Sequence, residues 1–408
     1  MKSLSRFRRI IPALVMTAAL WIFLAQRPAP QPIRIGVLHS LVGTMSANEK
    51  PLVNAVKLAV EEINAAGGLL GRPVEIVVAD GRSDDRVFAA EAERLIASEK
   101  VSALFACWTS SCRKAVKPVV EKHRHLMFYP IQYEGMEQSP NIFYTGSAPN
   151  QQIIPGTMWA LNTLGKRVYL IGSDYIFPHT ANLIIRDMVA VNHGTILAER
   201  YRPLGDSDFS VITAELRTLK PDLVLNTLNG DSNTSFFRQL HQAGLDALPI
   251  ISFSVSEVDL KATGPDAFHP NHYAVWSYFQ SVPGEANQRF IAAFRARFGA
   301  DQVTNDPIEA AYTGVRLWAQ AVRDANTDEP EQVNRAMLLQ STAAPSGIAA
   351  IDRTTRHLWK QVRIGKARPD GQFDLVWNSK EAVRPMPFPG YRSPSEWQEK
   401  IKSSGTAP

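Results

Sequence analysis

Cysteine is scarce and, beyond the first residues, the chain has no surplus of charge. Two cysteines in 408 residues exclude a disulfide-stapled scaffold and a cysteine-rich zinc fold. The formal net charge is +5, from 44 Lys and Arg against 39 Asp and Glu. Five of the bases, Lys2, Arg6, Arg8, Arg9 and Arg27, fall in the first thirty residues, which hold no acid. The other thirty-nine bases face thirty-nine acids, so the rest of the chain is neutral. That removes the bulk-charge argument for a nucleic-acid partner. No G-x-G-x-x-G follows the first strand pattern, and Walker A, H-E-x-x-H and G-x-S-x-G are missing. With no nucleophile–base pair and no metal set in view, an enzyme is the least favoured class, and no cofactor is implied. After residue 25 there is no second long apolar run.

What is present is an ordinary globular composition, 45% hydrophobic and 20% charged. The length suits two domains or one large one. Ile10–Ala25 is an uncharged stretch of 16 residues behind a basic start. That pattern reads as a secretory signal, and it is short for a bilayer span of about 20 residues. Phe23 or Arg27 would stand at −3 of the candidate cuts, so no A-x-A site is visible, and a retained N-terminal anchor is the alternative. No cysteine follows the apolar stretch, which excludes a lipoprotein anchor. The remainder is expected to be exported, with membrane contact only through an uncleaved leader.

Short apolar runs alternate with helical patterns. After Ile33–Leu38, the residues Leu52, Ala55, Val56, Ala59, Val60 and Ile63 recur at helical spacing, one apolar face that Gly67 and Gly68 end. Val74–Asp80, Ser102–Cys107, His125–Tyr129 and Asn141–Tyr144 complete a first series of strands. Arg167–Gly172, Thr195–Tyr201, Asp222–Leu228, Pro249–Ser254 and His272–Phe279 form a second. Strands alternating with helices indicate βαβ units, so two series predict an α/β protein of two doubly wound parallel-sheet lobes. A helix near Pro307–Ala325 follows, then a hairpin, Trp359–Gly365 and Gln372–Trp377, around Arg368–Gly371.

His123 and His125 sit two apart beside a strand. Without a third or fourth ligand they read as a solvated strand edge. Cys107 closes a strand and Cys112 opens a helix, so bridging them is expected to distort the turn, and two free thiols are expected. In parallel sheets ligands gather beyond the carboxyl ends of the strands. Those loops carry His39 and Ser40, then Trp108, Thr109, Ser110 and Ser111, then Ile131, Gln132, Tyr133 and Glu134. The second series adds Asp174 and Tyr175, and Asn229 and Asp231. Hydroxyls, amides and aromatics in this mixture suit a small polar ligand. Simple helix capping by Ser110, Asp174 and Asp231 is the competing reading.

At these loops the chain resembles the type I periplasmic solute-binding proteins of the branched-chain amino acid and amide class, most of all the urea-binding components of ABC transporters. The resemblance runs from Ile33 to about Tyr391. It rests on HSLVGTM (His39–Met45), EEINAAGGLLG (Glu61–Gly71), CWTSSCRKAV (Cys107–Val116), YPIQYEG (Tyr129–Gly135), GSDYIFPHTAN (Gly172–Asn182), LNTLNGDSN (Leu225–Asn233) and VRIGKARPDGQFDLVW (Val362–Trp377). It implies two discontinuous lobes with the ligand between them. Residues 33–148 and 283–343 would form the first, and 149–282 and 344–395 the second, after a leader at 1–30 and before a tail at 396–408. Crossovers would fall near Ser147–Gln151, Ser281–Glu285 and Thr342–Gly347. The implied ligand contacts are Trp108, Thr109, Ser110, Tyr129, Ile131, Gln132, Tyr175, Thr227, Asn229 and Glu257. Ser110 is expected to donate to the ligand oxygen and Gln132 to accept. Ile131 stands where an acetamide-sensing relative has a hydroxyl, and Glu257 falls near the acid that meets an amino acid's ammonium. The implied function is capture of urea for an ABC permease by hinge closure. The alternatives are a short-chain amide or branched-chain amino acid binder, and a membrane-tethered amide or urea sensor.

Overall fold

The computed structural model describes residues 31–265 and 268–404; the leader lies outside them. The first lobe opens with β1 (Ile33–His39), α1 (Ser46–Ala65), β2 (Val74–Asp80), α2 (Asp85–Ala97), β3 (Leu104–Ala106), α3 (Ser110–Lys122), β4 (Met127–Tyr129) and β5 (Ile142–Tyr144). These strands pair in parallel in the order β2-β1-β3-β4-β5. The stripe from Leu52 to Ile63 is the buried face of α1. Gly68 ends that helix at φ 77°, and a Cβ there would meet the Arg72 carbonyl oxygen at 2.2 Å, so only glycine fits.

The second lobe follows with α4 (Ile153–Thr163), β6 (Arg167–Ser173), α5 (Ile176–Val191), β7 (Thr195–Arg202), α6 (Ser210–Leu219), β8 (Leu223–Thr227), α7 (Ser232–Gln242), β9 (Ile250–Ser252), α8 (Glu257–Thr263) and β10 (His272–Trp276). The chain then returns to the first lobe as α9 (Glu285–Phe298), α10 (Asp306–Ala325) and α11 (Pro330–Met337). Trp318 of α10 meets Phe105 of β3 edge-on at 6.2 Å. Next comes an antiparallel sheet of β11 (Ser341–Ala344), β12 (Gly347–Ile351) and β13 (Leu358–Trp359). β14 (Arg363–Ala367) and β15 (Phe373–Asn378) then join the second lobe, whose sheet order is β15-β14-β10-β9-β8-β6-β7. Five of those strands are parallel, and the hairpin β14–β15 is antiparallel.

Thr342–Gly347, expected as a crossover, forms β11 and the turn into β12. The chain regains the large sheet only at Arg363. The reason is local: Tyr144 N–H donates to Arg356 O at 3.0 Å and His357 stacks on Tyr144 at 4.3 Å, which holds this stretch against β5. Residues 396–403 of the expected tail belong to α12 (Pro394–Ser403), which buries Trp397. Where the crossovers meet, Asp306 Oδ2 accepts from the amides of Ser277 and Tyr278 at 3.0 and 2.9 Å. Arg363 donates to the carbonyls of Ser277 and Ser346.

Candidate functional site

Helix α3 begins directly after β3, and its start shapes one wall of the cleft. Cys107 is left-handed, at φ 70°. It is bridged to Cys112, with Cα atoms 5.7 Å apart, against the expectation of two free thiols. The left-handed residue turns the chain between strand and helix, so the pair falls within the span a bridge needs without disrupting the first turn. Thr109 is the cap, its Oγ1 accepting from Cys112 N–H at 3.1 Å. None of the expected caps makes a capping bond: Ser110 lies inside the helix, Asp174 pairs with His179, and Asp231 stands before α7 without one.

Ser110 belongs to a buried ionic cluster. Its hydroxyl donates to Glu134 Oε2 at 2.5 Å and accepts from Arg113 Nη1 at 2.9 Å. Arg113 also reaches Glu134 Oε1 at 2.9 Å and Glu137 Oε1 at 2.7 Å. Its guanidinium lies over the rings of Tyr129 and Tyr133, 4.9 and 4.5 Å from their centroids. Burial opposes the charge on Arg113, but Glu137 and Glu134 outweigh it and keep its pKa above the ordinary value. Burial likewise opposes the charge on Glu137, yet Arg113, Lys117 and Lys114 pull its pKa down to about 2.

The other cleft residues arrive from both lobes. Tyr129 donates to Trp108 O at 2.6 Å, and burial raises its pKa. Trp108 Nε1 reaches Asn229 Oδ1 of the second lobe at 3.5 Å, a long contact. Gln132 Nε2 donates across the cleft to Phe253 O at 3.0 Å and Ser254 Oγ at 3.3 Å. Its Oε1 is buried without a partner. Ile131 is buried in the first-lobe core. Tyr175, half-buried at the start of α5, faces Tyr129, Glu134 and Arg113, and burial raises its pKa. Thr227 turns away: its hydroxyl bonds Ile171 O and Asn182 Oδ1 inside the second lobe. Glu257 sits at the crossovers, Oε1 accepting from Gln280 N–H at 2.7 Å while Oε2 is buried without a partner. Burial, with Asp306 and Asp259 adding to it, raises the Glu257 pKa to about 8, so it is mostly protonated at neutral pH.

Thus Trp108, Ser110, Tyr129, Gln132, Tyr175 and Asn229 gather where the lobes meet, while Ile131 belongs to the first-lobe core. Thr109 serves the helix end, Thr227 the second-lobe interior and Glu257 the crossovers. Sequence reasoning missed Arg113 and Glu137, and named Glu134 only as a loop residue. The one available signal was the basic pair Arg113 and Lys114 in CWTSSCRKAV, with Glu134 in YPIQYEG and Glu137 just after it. A cavity of about 400 Å3 opens at the cleft mouth, lined by Met45, Glu49, Asp85, Thr109 and Ser111 with Leu204 opposite. A larger one, about 520 Å3 between α8 and the turn at 368–372, holds none of the candidate residues. His125 is not at a solvated edge: it is 4% exposed, its Nε2 against Val101 O at 2.6 Å, while His123 pairs with Glu93. Among the described residues, no group of three or more His, Cys, Asp or Glu could hold a metal ion.

Two parallel-sheet lobes meeting at a cleft of strand-end loops are the architecture of a type I periplasmic binding protein. Residues 33–394 match the periplasmic binding protein domain family, and the chain belongs to it. The family implies an exported, periplasmic protein. Among the described residues no helix is long and apolar enough to cross a membrane. Leu/Ile/Val-binding protein homolog 8 of Brucella melitensis is 22% identical over 387 residues, covering 87% of this chain and 93% of that protein. Limonene hydroxylase of Geobacillus stearothermophilus is 31% identical over 117 residues, 29% of this chain, which spans only 21% of that protein's length. Among solved structures, a solute-binding protein of an ABC transporter from R. palustris, in complex with benzoate, superposes with a TM-score of 0.78 at 19% identity, covering 86% of this chain and 97% of that one. A branched-chain amino acid transporter substrate-binding protein from Streptococcus pneumoniae, in complex with isoleucine, gives 0.76 at 21% identity, covering 87% and 100%. At these identities the likeness is one of fold.

Proposed function

We propose that the protein captures a small neutral amide of the urea type between its lobes and delivers it to an ABC permease. The observation that carries this reading is Gln132. Its Nε2 is committed to Phe253 O, which only a donor can meet, so Oε1 is the atom left buried without a partner. An N–H group from the ligand would satisfy it. Ser110 and Tyr129 have given their protons to Glu134 and Trp108 O, so both meet a ligand as acceptors. For Ser110 this reverses the expected role. The ligand's carbonyl oxygen then falls to the Ser110 and Ser111 amides at the start of α3, since Thr109 takes the Cys112 amide and no helix carbonyl can reach the other two. Trp108, Tyr129 and Tyr175 supply flat walls.

Charge supports a neutral ligand over a zwitterion. Both oxygens of Glu134 are engaged, which leaves Glu257, at the crossovers, as the one counter-charge among the candidate residues. An ammonium group buried without a counter-charge would be costly. The second reading is a branched-chain amino acid, favoured by the names of full-length relatives such as the Brucella protein. In that case Glu257 Oε2 would be the atom to meet the ammonium group. Calorimetry with urea, acetamide and leucine separates the two. Urea above acetamide, with leucine silent, supports the amide reading. Tight leucine binding with no heat from urea moves the function to the amino acid.

A further inference from the structure

We propose that Glu134 and Arg113 are positioning residues that hold the Ser110 hydroxyl as an acceptor toward the cleft, and that this orientation selects ligands rich in N–H groups. The proposal rests on the amide reading above and deepens it. A serine hydroxyl has one proton and two lone pairs. The proton goes to Glu134 Oε2 and one lone pair takes Arg113 Nη1. One lone pair and no proton remain. Arg113 cannot swing away to release the arrangement, because Glu137 and two tyrosine rings fix it and it is 0% exposed.

The cluster makes the orientation reversible by a single atom. Arginine only donates. In Glu134→Gln the amide oxygen must therefore face Arg113 Nη2, which leaves the amide nitrogen facing Ser110. Ser110 would then accept from both neighbours, filling both lone pairs, and its proton would be free to point into the cleft. The same hydroxyl would change from acceptor to donor without a change in its position.

Urea, acetamide and acetone test this, because they share one planar Y shape and carry four, two and no N–H groups. Against the wild-type protein, calorimetry or competition should show each NH2→CH3 step weakening binding by about tenfold, the cost of leaving buried acceptors unpaired. Glu134→Gln should compress each step to about threefold or less. A Glu134→Gln protein that weakens all three equally, with wild-type ratios intact, would show a purely structural role and overturn the proposal while the urea reading stands. Wild-type protein that binds none of the three would instead overturn the amide reading. Should the variant not fold, neutron diffraction of the ligand-free wild type decides. A Ser110 deuteron on the line to Glu134 supports the assignment, and one aimed into the cleft overturns it.

Discussion

Arg113 is fully buried and spends its donors on Ser110, Glu134 and Glu137. Replacing it with leucine would leave two carboxylates in the interior without their main counter-charge. Breaking a buried pair from one side costs about 3–5 kcal/mol, so Arg113→Leu should lose roughly that much in denaturant unfolding at neutral pH. The acid limb should change as well. Glu137 is held at about 2, below its ordinary 4.5, so its contribution is complete above pH 4.5 and is lost as pH falls toward 2. In Arg113→Leu the stability curve should be shallower across that window, and an unchanged slope would count against the pairing. This residue was not legible in the sequence. An arginine three positions into an amphipathic helix reads as solvated, and its acidic partners lie 21 and 24 residues away. Trp108, Ser110 and Gln132 could be singled out because they follow parallel strands, where the fold itself places ligand loops, whereas Tyr129, which ends β4, came only with the family resemblance. The direction of Ser110's hydrogen bond was not, since it depends on those distant acids.

At the scale of single elements, the join between β3 and α3 decides how the cleft wall is held. The Cys107–Cys112 bridge spans a separation of 5 residues, with the Thr109 cap inside it. Loop entropy for so short a ring amounts to about 2 kcal/mol. Reduction, or Cys112→Ser, should lower unfolding free energy by that order, read as a lower melting temperature with reductant than without. Urea affinity should fall with it, because Ser110 and the first-turn amides sit inside the stapled turn. A reduced protein that melts and binds unchanged would remove the bridge from the site's support. The bridge also fits export to an oxidising compartment. The helical stripe of α1 and the Arg368–Gly371 turn were readable, since periodicity and turn residues are local properties. The sheet β11–β13 was not, because its strands are short and its placement depends on Tyr144 stacking with His357, far apart in sequence.

For the whole molecule, strand–helix alternation was enough to predict two lobes, while the bonds that close them lie between residues no periodicity connects. Gln132 donates to Phe253 O, Trp108 meets Asn229, and Asn48 Nδ2 donates to Asp259 Oδ1 at 2.9 Å. Asp259 is otherwise occupied by its capping bonds to Ser256, so the Asn48 contact is its one tie to the first lobe among the described residues. These bonds are polar, and each replaces a bond to water, so each adds little net free energy to the closed arrangement. A ligand that fills the buried acceptors of the cleft adds free energy only to the closed form and shifts the population toward it. Solution scattering should therefore show a smaller radius of gyration with saturating urea than without. Asn48→Ala removes a closing bond without touching the ligand, so it should need several-fold more urea to reach the same compaction while ending at the same final radius. A radius that ignores saturating urea would sink the hinge mechanism. An Asn48→Ala titration superimposing on the wild type would show that this bond does not take part in closure.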